Sequence, residues 1–163
     1  MAKEKKEVKT NVMRILEKEK IPYEHQSYEC DDFIDGIHTA DMLGLPHEKV
    51  YKTLVTQGTS KNYFVFVIPI AEELDMKKAA KSVGEKSVSM IPVKDITAVT
   101  GYIRGGCTAI GMKKQYKTVY HSSILSLDTV LVSAGKIGQQ VELSPADLIG
   151  LTRGDTANIV TEV

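Results

Sequence analysis

Apolar residues recur at helical spacing at Val8, Val12, Ile15 and Leu16, so the chain predicts an amphipathic helix over 7–20, with Pro22 just past its end. A short strand is predicted over 23–28, an acidic turn over 30–36, and a short helix over 39–43 that Gly44 closes and Pro46 follows. Residues 50–56 predict a strand. A turn-rich connection (Gly58, Thr59, Ser60, Lys61, Asn62) separates it from 63–68, which is almost continuously apolar and rich in β-formers. That pair predicts an antiparallel hairpin with its second strand in the core. Asp75 is placed to cap a helix running through Ala79 and Ala80 to Val83, with Gly84 as its stop. Pro92 is placed to open another helix that ends near Thr100, with Gly101 as its stop. A second hairpin is predicted from 130–133 and 140–143 around Gly135, Lys136, Ile137 and Gly138. Ser144, Pro145 and Asp147 then suit a cap, a first helical position and an acid in the first turn. Hairpins interspersed with short helices predict an α+β class: one domain over 1–163, with a mixed, mostly antiparallel, barrel-like sheet and flanking short helices.

Composition narrows the class. A chain of 163 residues with 42% apolar and 26% charged residues can bury a hydrophobic core, as ordinary soluble globular proteins do. No apolar run approaches the roughly 20 residues that span a bilayer, and the charged N-terminus is not a secretory signal, so no membrane role and a cytoplasmic location are expected. Cys30 and Cys107 make neither a disulfide framework nor a Cys-x-x-Cys site. His25, His38, His47 and His121 lack metal-ligand spacing, so neither a metal nor a cofactor is expected. The 21 basic and 21 acidic residues cancel, which argues against tight, indiscriminate nucleic-acid binding. Lysines gather at Lys77, Lys78, Lys81 and Lys86, and again at Lys113, Lys114 and Lys117, while acids concentrate at Glu29, Asp31, Asp32 and Asp35. Each lysine group suits either a solvated face or a local basic surface.

The stretch Gly105-Gly106-Cys107-Thr108-Ala109-Ile110-Gly111 carries three glycines in seven residues. Glycine costs conformational entropy, and a fold keeps it where backbone turns sharply or another group comes close. The loop therefore suits either a tight turn or a bare backbone surface for a phosphate, a carboxylate or a polarised carbonyl. It is not a nucleotide-hydrolysing P-loop: Gly106 and Gly111 have the glycine spacing, but Met112 stands where the lysine is needed. Gly135 and Gly138 fit a hairpin turn better than a dinucleotide fingerprint. Cys107 is either a nucleophile activated by loop N–H groups or a small filler. Lys52 sits mid-strand on the face of Leu54, opposite Tyr51, Thr53 and Val55; facing inward it needs an anion or a dipole, and facing outward it needs nothing.

Taken together, Tyr51-Lys52-Thr53-Leu54-Val55, the glycine loop with Gly101-Tyr102 before it and Lys113-Lys114 after it, and Val132-Ser133-Ala134-Gly135-Lys136 resemble the YbaK/EbsC family over nearly the whole chain. These are freestanding aminoacyl-tRNA editing proteins related to the editing domain of bacterial prolyl-tRNA synthetase. The resemblance implies deacylation of a mischarged aminoacyl-tRNA, most simply cysteine on tRNA(Pro), with a prolyl-tRNA synthetase as a possible partner. It carries catalytic roles to Lys52, Gly105 and Gly106. It carries substrate contacts to Tyr51, Thr53, Cys107, Thr108, Ala109, Gly111, Ser133, Ala134, Gly135 and Lys136. It also implies a route in which the substrate's own thiol attacks its ester, so that no protein nucleophile is required. The chain departs from its relatives at Thr108-Ala109, where those that deacylate cysteinyl-tRNA usually have Ser-Pro, and at Ile137 and Gln140, where many have arginine and aspartate. The alternatives are a noncatalytic module binding RNA or a protein through the same pocket, and an esterase acting on a small aminoacyl metabolite.

Overall fold

The computed structural model describes residues 9–27, 44, 46–104 and 106–161. The predicted acidic turn, the helix over 39–43, Cys30 and Gly105 lie outside them. Among the described residues are four helices: α1 (Asn11–Lys18), α2 (Met76–Ser82), α3 (Ile96–Thr100) and α4 (Pro145–Thr152). Eight strands accompany them: β1 (Tyr23–Ser27), β2 (Tyr51–Gly58), β3 (Tyr63–Pro69), β4 (Val88–Met90), β5 (Lys117–His121), β6 (Val130–Ser133), β7 (Gln139–Leu143) and β8 (Asp155–Ala157).

Two sheets form, and neither closes into a barrel. A five-stranded sheet has the order β4-β2-β3-β5-β8, and a three-stranded sheet the order β1-β7-β6. Both predicted hairpins are present: β2 pairs antiparallel with β3, and β6 with β7. The parallel pairs β3–β5 and β5–β8 make the larger sheet mixed. A single parallel bridge, Val50 to Leu131, connects the two sheets.

Strand alternation gives the five-stranded sheet two buried faces. One face, carrying Tyr51, Val65, Val67 and Tyr120, packs with α1 residues Val12, Met13 and Leu16 and with Val130, Val132, Val141 and Leu143 of the smaller sheet. The other, carrying Phe64, Phe66, Ile68 and Val119, packs under α2 through Ala79, Ala80 and Val83.

Local chemistry sets the helix ends. The Thr10 hydroxyl accepts from Met13 N–H, which starts α1 at Asn11, inside the predicted span. Asp75 accepts from the N–H groups of Lys77 and Lys78, as its position predicts. Gly84 and Gly101 are left-handed, with φ of 71° and 87°. Pro92 precedes a single 3-10 turn, Val93–Asp95, before α3 begins. Ser144 occupies the N-cap of α4, but its side chain makes no capping bond.

Candidate active site

The glycine loop is fixed by one tyrosine. The Tyr102 hydroxyl donates to Ile110 O at 2.5 Å, tying the two ends of the loop together. Burial pushes the Tyr102 phenol up to about 12, so it remains a donor at any physiological pH. Its ring lies against the β6–β7 turn: a Cβ built on Gly135, at φ +94°, would sit 2.9 Å from Tyr102 Cε1. A Cβ on Gly111, at φ +72°, would sit 3.0 Å from the Tyr102 oxygen and 2.6 Å from Ile15 Cδ1. Both glycines are needed for backbone conformation and for space. The sequence motif includes Tyr102 but assigns it no role. A tyrosine between loop glycines was the available signal.

Gly106 brings the loop onto the turn directly. A Cβ there would lie 3.0 Å from Lys136 Cα and 3.2 Å from Ile137 N, both backbone atoms. Its N–H is already donated to Ile103 O at 3.0 Å, so it is not a free donor. The free donors come next. Among the described residues, the backbone N–H groups of Cys107, Thr108, Ala109, Ile110 and Gly111 have no hydrogen-bond partner. Thr108 and Ile110 are each only 1% exposed, so bulk water does not satisfy them either. Unpaired buried N–H groups are rare because each carries a desolvation penalty.

The Thr108 hydroxyl is buried and unpartnered as well, and so is the side-chain carbonyl of Gln140. Gln140 pairs with Ser133 across the β6–β7 ladder. Ser133 Oγ accepts from Gly135 N–H at 3.2 Å and shapes the turn. Ala134 is fully buried in the main core, and Lys136 is exposed. Sequence reading treated Gln140 only as a departure from relatives. It stands opposite Ser133 on the ladder that leads into the β6–β7 turn.

Lys52 approaches from β2. It is half-buried, and its Nζ lies 3.4 Å from Ile70 O. Burial lowers its pKa, against the opposing pull of Glu73 and Glu72. Ile70 packs with Val50 and Leu131 at the bridge between the sheets. Two residues beyond that bridge, Lys52 follows Val50 on one strand and Ser133 follows Leu131 on the other. The lysine and the turn that supports Gly106 are thus carried by adjoining strands. Tyr51 faces the other way: it is 3% exposed in the main core, and its hydroxyl shares a 2.5 Å hydrogen bond with Ser123. It braces β2 from behind. Thr53 is half-buried and, by alternation, on Tyr51's side of the strand.

Cys107 is not an activated thiol. It packs with Val55, Ile91 and Val99, and burial pushes its pKa up to about 11, only partly offset by a bond to Thr100. Among the described residues, no group of three or more His, Cys, Asp or Glu side chains could hold a metal ion. Two of the histidines are engaged within the fold: His25 bonds Gln139, and His121 Nδ1 accepts from Ile159 N–H at 3.3 Å. No helix among the described residues is long and apolar enough to cross a membrane.

The comparisons fit this architecture. Residues 37–151 match the aminoacyl-tRNA editing domain. The chain belongs to that family. It is 44% identical over 163 residues, covering 99% of both chains, to a protein of Enterococcus faecalis (strain ATCC 700802 / V583) named as a candidate Cys-tRNA(Pro)/Cys-tRNA(Cys) deacylase, EbsC. Among solved structures it is similar to a candidate trans-editing enzyme for prolyl-tRNA synthetase. The TM-score there is 0.80 at 19% identity, covering 93% of this chain and 95% of that one. It is similar also to hypothetical protein APE2540, with a TM-score of 0.82 at 19% identity over 92% and 99% of the two chains. At that identity, these two structures speak for the fold alone.

Proposed function

We propose that this editing-domain protein is a trans-editing deacylase that removes mischarged cysteine from the 3′ end of tRNA(Pro). The observation that carries the reading is the run of loop N–H groups without a partner among the described residues, in a loop whose Cys107 packs on Val55 of the Lys52 strand. In ester cleavage, negative charge develops on the carbonyl oxygen, and preorganised donors aimed at it give the largest electrostatic contribution. The Cys107 N–H, on a half-buried residue, supplies such a donor. Lys52 positions the terminal adenosine end of the ester.

The nucleophile belongs to the substrate. The cysteinyl thiol attacks its own ester carbonyl, a C–S bond forms, and the C–O bond to the tRNA ribose breaks. The thiol proton passes to the departing ribose oxygen, and a cyclic thiolactone leaves. This route agrees with a Cys107 thiol held protonated near neutral pH. The neutral overall charge suits modest affinity for tRNA, with a prolyl-tRNA synthetase as the partner that presents it.

Deacylation of Cys-, Ala-, Ser- and Pro-charged tRNA(Pro) tests the reading. Selective loss of cysteine, with thiolactone as the first product, is the expected result. Bound tRNA with no turnover on any of the four would replace the reading with a noncatalytic binding module.

A further inference from the structure

A cleft opens along the second half of the glycine loop, between α1, the segment after the loop and α4. Its volume is about 220 Å³, and its walls include Ile15, Ala109, Gly111, Lys114, Tyr116 and Leu151. None of Lys52, Gly106 or Ser133 lines it. At that size it suits a compact group, since sites for drug-sized ligands occupy about 300–1,000 Å³.

Three observations give the cleft a chemistry. Ala109, Ile110 and Gly111 are consecutive on its wall, and their N–H groups have no partner among the described residues. Gly111 is left-handed, and successive N–H groups in a turn with such a residue form an anion-binding concavity. Lys114 on the same wall is exposed and forms no hydrogen bond or ion pair among the described residues; Lys113, next to it, is exposed and lies across Gly101. No counter-charge is near in sequence: from Ile96 to Leu127 the chain has no Asp or Glu and four Lys or Arg, although 21 acids are spread over its 163 residues.

We infer that this cleft is a phosphate site, formed by the backbone N–H groups of Ala109 and Gly111 and the Lys114 ammonium, that takes a phosphodiester of the tRNA acceptor end while the ester is held on the other side of the loop. The inference rests on the deacylase reading for the source of the phosphate, but not for the site's chemistry. It gives one loop two uses: the Cys107 N–H serves the reacting carbonyl, and the Ala109 and Gly111 N–H groups hold the strand that carries it.

Amide NMR of the whole protein tests the site directly, with inorganic phosphate and the trinucleotide CCA as probes. The Ala109, Ile110 and Gly111 resonances should move with both, at lower concentration with CCA, and the shifts should vanish in Lys114→Glu. In deacylation, Lys114→Ala should raise KM for aminoacyl-tRNA with kcat held. It should also flatten the dependence of log KM on log salt by about 0.7–1. Cleavage of a 3′-aminoacyl adenosine, which has no phosphodiester, should be unaffected. Silent amides at 109–111 with both probes overturn the site. A response to inorganic phosphate without a response to CCA makes the ligand a free phosphate and overturns its assignment to tRNA. A Lys114→Ala defect that appears only when a synthetase is present makes the surface a protein contact and overturns it too. If the amides respond as expected but wild-type protein cleaves no aminoacyl-tRNA, the deacylase reading fails and the phosphate site stands.

Discussion

Gly106 is the position at which the smallest change should have the clearest effect. Alanine there places a Cβ 3.0 Å from Lys136 Cα and 3.2 Å from Ile137 N, while ordinary contact begins near 3.4 Å. The obstructing atoms are backbone, so no side chain can rotate away. Either the loop or the β6–β7 turn must retreat by at least about 0.4 Å. Overpacking of this kind costs about 1–3 kcal/mol. At about 2–4 °C per kcal/mol for a chain of this size, melting should fall by about 2–12 °C. The catalytic loss should be larger in proportion, because the donor at Cys107 immediately follows the displaced residue. A misplacement approaching 1 Å can cost about 100-fold, so kcat should drop by about 10- to 100-fold with KM little changed. Single-turnover deacylation and thermal unfolding, measured on the same preparation, check both numbers. Gly150→Ala is the control: nothing lies within 4 Å of its Cβ, it sits inside α4, and it should gain about 0.5–1 kcal/mol with unchanged activity. A Gly106→Ala protein with wild-type kcat and melting would refute the claim that the loop's position on the turn matters.

Lys52→Met should abolish most deacylation yet raise the melting temperature at neutral pH. Because burial lowers this lysine's folded pKa below its unfolded value of 10.5, the charged form disfavours folding below the folded pKa. That penalty is relieved as pH rises through the folded pKa, so the stability gap between variant and wild type should shrink toward zero above pH 10.5 in pH-dependent melts. Cys107→Ala should keep most of its activity, and wild-type Cys107 should alkylate slowly at pH 7, since its pKa is about 11; a trapped acyl-enzyme would contradict this. Tyr102→Phe removes the bond to Ile110 O and should cost about 0.5–1.5 kcal/mol of stability, with kcat reduced more than KM rises.

The elements read most easily from sequence were those whose signals are local. The 63–68 run could only be a buried strand, and it became β3; Asp75 and Gly84 bounded α2 because capping is decided within a few residues. What escaped were β4, β5 and β8. β4 and β8 are three residues long, too short for any period to register. β5 pairs in parallel with β3, a partner distant in sequence, and no turn announces it. The open join between sheets escaped for the same reason: it depends on one bridge, Val50 to Leu131, between segments 81 positions apart. At the candidate site, the glycine spacing marked the loop but not which of its N–H groups are already bonded within the fold. Sequence could not say that Gly106 N–H is already used by Ile103 O, or that Tyr51 turns into the core while Lys52 does not.

The pattern of hydrogen bonding argues for why this loop has little polar machinery. A carboxylate or imidazole near the ester would be needed if the protein had to generate a nucleophile. Between Asp95 and Asp128 the chain places no acid at all, and its one cysteine there is held as a buried thiol; Glu72 and Glu73, whose charges act on Lys52, lie outside the loop. The loop instead offers uncharged backbone donors that cannot be mistitrated and that cost no side-chain entropy to orient. Such a site can stabilise charge in a reaction whose attacking group arrives with the substrate. It has little to offer an aminoacyl ester lacking one. Discrimination then falls to the chemistry of the amino acid, so a pocket with a weak grip on its substrate can still be selective. On this argument a cysteinyl ester whose thiol is methylated should bind like the parent and remain uncleaved, and measurable hydrolysis of that ester at the parent's rate would require a nucleophile the loop does not contain.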